Sequence, residues 1–90
     1  MYRYEATEAF WASFYRLTDA QKESTRRAWE IFKHDPFDPR LHTHKIHRLS
    51  AHYGRIIHAV EIEADLRAVF HVAGDRVITV DIGTHDVCKR

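Results

Sequence analysis

The stretch Leu66-Arg67-Ala68-Val69-Phe70-His71-Val72-Ala73-Gly74-Asp75-Arg76-Val77-Ile78-Thr79-Val80-Asp81-Ile82 decides the fold. It alternates with period two. Leu66, Ala68, Phe70 and Val72 share one face, and Arg67, Val69 and His71 share the other. Ala73-Gly74-Asp75 interrupts the alternation, and Gly and Asp suit the tight turn of a hairpin. The pattern resumes over Arg76–Ile82, with Ile78, Val80 and Ile82 expected on the inner face. Upstream, Ile56–Ile62 is rich in β-branched residues and reads as a further strand, joined through a turn at Glu63-Ala64-Asp65. The C-terminal part of the chain is therefore a run of antiparallel strands.

Moving toward the N-terminus, the period becomes helical. Thr18-Asp19-Ala20-Gln21 is a capping box, in which Thr18 and Gln21 each satisfy a backbone amide of the other. It opens a helix whose stripe is Ala28, Ile31 and Phe32, with Trp29 at its margin. Pro36 ends that helix, because a residue before proline avoids helical angles. Before it, Thr7 caps a shorter helix with Phe10, Phe14 and Leu17 on one side, which reads as core. Tyr2–Glu5 suits a short strand. Leu41–Leu49 is a mixed basic segment, part strand, and Ser50–Arg55 reads as a polar turn around Gly54. The expected class is α+β: a short N-terminal strand, a two-helix hairpin, then a curved antiparallel sheet of three to four strands, with both helices on one face.

Ninety residues, 44% of them hydrophobic and 30% charged, make one domain over 1–90. No apolar run is long enough to cross a bilayer, and the first residues lack the core of a signal peptide. A single cysteine, Cys88, cannot form an internal disulfide, which agrees with a reducing compartment. A cytoplasmic protein with no membrane role is expected. The net charge of +1 does not mark a nucleic-acid binder, but its distribution is uneven. From Pro39 to Val60 there is no Asp or Glu, while Arg40, Lys45, Arg48, Arg55 and five histidines fall in that window. Such a stretch suits phosphate, a solvated basic face, or an acidic partner peptide.

The order of elements and three phrases, His44-Lys45-Ile46, Asp65-Leu66-Arg67-Ala68-Val69-Phe70 and Ile82-Gly83-Thr84-His85-Asp86-Val87, resemble the RelE/ParE superfamily of toxins. The resemblance covers nearly the whole chain. It implies the toxin of a type II toxin–antitoxin system. In the RelE-like branch the activity is ribosome-dependent cleavage of messenger RNA, without a metal or other cofactor, and the outcome is inhibited translation. The partners implied are a cognate antitoxin in a hetero-oligomer, the ribosome and messenger RNA. The exposed edges of a small sheet suit an antitoxin segment that adds a strand or lays down a helix. The alternative is a ParE-like gyrase inhibitor, or a weakened homologue that only binds an antitoxin.

The cleavage chemistry needs a base, an acid and positive charge around a phosphodiester attacked by its own 2′-hydroxyl. Imidazole titrates near neutrality and suits either proton role. The resemblance puts His85 forward as general acid or base; on the residues alone it reads as a surface histidine. Arg67 is the candidate fork for phosphate oxygens, or one half of an ion pair with Glu61 or Asp81. Lys45 is a candidate phosphate contact and His44 a second proton carrier. Arg40, His47, Arg48 and Arg55 are expected to steer RNA, with Cys88 beside the substrate. Many relatives carry tyrosine where this chain has Cys88; cysteine cannot stack on a base, so weakened activity is expected. A zinc site at His42, His44 and His47 is not supported, since on a strand position 47 faces away from 42 and 44. Cys88 as a nucleophile lacks an orienting group.

Overall fold

The tight turn between the last two strands holds as read: in the computed structural model Gly74 takes φ 63°, which glycine adopts without penalty. The structure describes residues 1–84, 87 and 88. The elements in order are β1 (Arg3–Ala6), α1 (Glu8–Tyr15), α2 (Asp19–Phe32), a short 3-10 turn at Pro39–Leu41, β2 (His44–Lys45), α3 (His47–Tyr53), β3 (His58–Glu63), β4 (Leu66–Ala73) and β5 (Arg76–Gly83). The class is α+β, and the capping box forms as expected, with Thr18 accepting from Gln21 N–H and Gln21 Oε1 accepting from Thr18 N–H.

Three features differ from the expectation. The N-terminal strand and the four antiparallel strands β2–β5, as many as expected, form a single five-stranded sheet in the order β1-β5-β4-β3-β2. The N-terminal strand joins it parallel to β5, while every other pairing is antiparallel. Thr7 makes that join. Its N–H donates to the Thr79 carbonyl (3.0 Å) and its hydroxyl donates to the Val80 carbonyl (2.8 Å), while the same hydroxyl accepts from Phe10 N–H and caps α1.

The polar turn expected at Ser50–Arg55 is largely α3. Only seven residues long, α3 shows too little apolar periodicity to read, but it seats Leu49, which is fully buried. Ser50 fixes its exit, donating to the Ile46 carbonyl and accepting from Ile57 N–H. Gly54 takes φ 68° and turns the chain back toward the sheet.

The third difference is the face of β5. Val80 is an extra residue between Thr79, paired with Phe70, and Asp81, paired with Val69. This bulge breaks the period-two parity. Val77 and Ile82 are buried with Phe14, Phe32, Phe70 and Leu66 under α1 and α2, while Ile78 is only half-buried. The opposite side of the sheet carries its own core: Leu49, Ile57, Ala59, Val69 and Val87. Both faces are therefore covered, one by α1 and α2, the other by α3 and the returning residue Val87.

Candidate functional site

On β4, Arg67, Val69 and His71 share the α3 side of the sheet. Arg67 stands at one end. Its side chain is 13% exposed, and Nη1 donates to the carbonyls of Glu63 (2.9 Å) and Ala64 (3.1 Å), closing the β3–β4 turn. Nη2 lies 3.9 Å from Glu61 Oε1, so of the two ion pairs considered, the one with Glu61 is present, at long range. Asp81 instead accepts from the Ser13 hydroxyl (2.7 Å) and from Ile82 N–H.

Arg67 is the register partner of Gly83. Val87 N–H donates to the Thr84 carbonyl (2.9 Å), and the Val87 side chain enters the α3-side core beside Val69. Cys88 follows, half-buried. Burial pushes its thiol above the usual range, and the nearby Arg67 guanidinium only partly offsets this. The thiol is protonated at neutral pH and is not an activated nucleophile. His85 lies outside the described residues.

The expected basic group is divided among several places. His44 pairs with Ala59 and Lys45 with His58, so the two project to opposite faces of the sheet edge. His44 belongs with the Arg67 face and donates Nδ1–H to the His42 carbonyl (2.8 Å). Lys45 belongs with His58, whose ring stacks on Phe70 (5.4 Å) and meets the edge of Phe37 (5.0 Å). His58 Nδ1 is buried with no hydrogen-bond partner, and burial, then Lys45 and His44, hold the imidazole below its ordinary pKa. Arg40 is on the α2 side, where Asp38 binds it through both carboxylate oxygens at 3.0 Å. His47 and Arg48 are exposed on α3, and Arg55 follows Gly54 at its end. The α3 side thus gathers Arg67, His44, His47, Arg48, Arg55 and Cys88, but not Lys45 or Arg40. Among the described residues, no three metal-ligating side chains converge.

Two features were not singled out from the sequence. One is His71, buried behind Arg55; its shared parity with Arg67 was the available signal. The other is an apolar trough of about 400 Å³ between α1 and α2, floored by Val60, Ala68 and Phe70. Trp11 and Trp29 form its rims at 45% and 42% exposure.

No family model matches the chain, and no curated protein sequence matches it. Solved structures do. It superposes on the archaeal RelE–RelB complex structure of Pyrococcus horikoshii OT3 with a TM-score of 0.70 at 11% identity, covering 92% of this chain and 93% of that one. It is similar to YafQ of E. coli (TM-score 0.65, 14% identity, 97% of each chain). A copper-bound mutant toxin of Helicobacter pylori matches with a TM-score of 0.64 at 20% identity, over 97% of this chain and 98% of that one. The chain has the RelE-like toxin fold over nearly its whole length.

Proposed function

We propose that this protein is the toxin of a type II toxin–antitoxin system and an endoribonuclease that cuts messenger RNA on the ribosome. The observation that carries the reading is the α3 side of the sheet. On a RelE-like fold, β4 puts Arg67 and His71 on this side, Arg55 is held by His71, and Arg48 is exposed on α3; in sequence, His85 follows two residues after Gly83, the register partner of Arg67. In the proposed reaction the 2′-hydroxyl of one nucleotide attacks the adjacent phosphorus and the 5′-oxygen of the next nucleotide leaves. His85 and His44 exchange the two protons, and the Nη2 side of Arg67 faces the charge that builds on the phosphoryl oxygens. Lys45 contacts phosphate from the sheet edge, and His47 and Arg48 steer the strand electrostatically; Arg40, neutralised by Asp38 on the α2 side, is left out of this role. The trough between α1 and α2 receives the antitoxin: it is apolar, open and edged by two tryptophans, as a helix-in-groove contact requires.

A second reading, a weakened homologue that retains antitoxin binding, is favoured by one observation. Two donors of Arg67 are engaged by turn carbonyls, and its neighbour is a protonated thiol rather than a ring that can stack. Inducible expression in a bacterium, with transcript ends mapped at single-nucleotide resolution, separates the two. Discrete cuts inside translated codons support the nuclease. No growth arrest supports the weakened homologue, and arrest with intact transcripts and broken DNA supports a gyrase target.

A further inference from the structure

The imidazole of His71 is 6% exposed, and the cleavage chemistry gives it no task. Its Nε2 lies 3.2 Å from Nη1 of Arg55. A guanidinium offers only donors, so the ring must accept through Nε2 and carry its proton on Nδ1. Burial holds the imidazole below its ordinary pKa, and Arg55 and then Arg76 act in the same direction, all favouring the neutral form that can accept. Arg76 is itself held by Glu5 through two hydrogen bonds.

This pairing differs from most of the other arginine contacts. Arg3, Arg26, Arg27, Arg40, Arg67 and Arg76 each have a carboxylate within 4 Å, whereas among the described residues Arg55, like Arg16 and Arg48, has none. A carboxylate at position 71 would hold the guanidinium and cancel its charge. A neutral imidazole holds it and leaves the charge available to an outside anion. The backbone around Arg55 is also fixed: its N–H donates to the Ser50 carbonyl (3.1 Å), and Ile57 N–H donates to the Ser50 hydroxyl (2.9 Å). Arg67 and His71 are four residues apart on one strand, about 13 Å. Arg55 and Arg67 therefore serve different phosphates.

We propose that Arg55, oriented by the neutral imidazole of His71, binds a backbone phosphate of single-stranded RNA, with His71 as its positioning residue. The inference rests on the proposed function only for the choice of RNA as the source of phosphate.

The test is fluorescence anisotropy with a labelled twelve-nucleotide RNA of mixed sequence over a range of salt, with thermal melting of each variant alongside. Arg55→Gln should weaken binding about tenfold and reduce the salt slope by about 0.7, the loss of one single-strand phosphate contact. His71→Gln retains an acceptor and should bind like the parent. His71→Glu holds the guanidinium but cancels its charge, and should match Arg55→Gln. If the buried glutamate unfolds the protein, His71→Leu replaces it, losing orientation and weakening binding. Equal losses in His71→Gln and His71→Glu overturn the proposal, as does an unchanged slope in Arg55→Gln or a parent that does not bind this RNA. RNA binding with these effects but without transcript cleavage sinks the nuclease and leaves this inference standing. Cleavage with an Arg55→Gln slope like the parent's does the reverse.

Discussion

Arg67 Nη1 reaches back four residues to the Glu63 carbonyl at 2.9 Å, so the side chain put forward for phosphate also latches the turn that precedes its own strand. Arg67→Ala removes this latch and should lower folding stability by about 1–3 kcal/mol, since two turn carbonyls lose a charged donor. Arg67→Lys keeps a cationic donor group but on a stem of different length and shape, and should fall between the parent and the alanine variant. Urea unfolding measures the effect. If Arg67→Ala shifts no midpoint yet abolishes growth arrest, the latch is unimportant and the side chain acts on substrate alone.

Acid should destabilise the protein through His58. Its imidazole is held below the ordinary histidine value of about 6.5 by burial, then by Lys45 and His44. Below 6.5 the unfolded chain takes up a proton that the folded one resists, so stability is complete above that pH and declines as pH falls toward the folded value. His71 shifts in the same direction and adds to the slope. His58→Phe keeps a ring between Phe37 and Phe70 and should flatten part of the decline. Thermal melting from pH 7 to 5 shows it; identical slopes in parent and variant would remove His58 as the cause.

Gly54→Ala should cost about 1–2 kcal/mol by backbone strain alone. Its φ is 68°, yet nothing lies within 4 Å of where a Cβ would sit. At Gly83 the opposite holds. φ is not in the left-handed region, and a Cβ would meet Val87 Cβ at an ordinary 3.6 Å, so Gly83→Ala should be tolerated. Chemical denaturation of the two variants gives the comparison directly.

The trough makes an optical prediction. Trp11 and Trp29 are both nearly half exposed on its rims. Their emission should shift to the blue when the antitoxin binds, and Trp29→Glu should weaken that complex. An unshifted spectrum on forming a tight complex would place the antitoxin elsewhere.

The sequence determined what depends on near neighbours. The capping box at Thr18 and Gln21, the Gly74 turn and the alternation of Leu66–Val72 are contacts or dihedral preferences within a few residues, and all are present, while α2 ends at Phe32, short of the stop read at Pro36. The tertiary structure decided what depends on register and on packing between distant segments. Thr7 ties β1 parallel to β5 across 73 residues of sequence, a pairing that no local pattern encodes. One extra residue at Val80 put Val77 on the same face as Ile82, so of the three residues expected inside only Ile82 lies in the helix-side core. Leu49 made α3 a helix because a second apolar face of the sheet required cover. The same reason divides the basic window. Lys45 and His44 part because neighbours on a strand face opposite ways. Arg40 departs with Asp38 toward α2, and Arg55 stays because a histidine from another strand holds it.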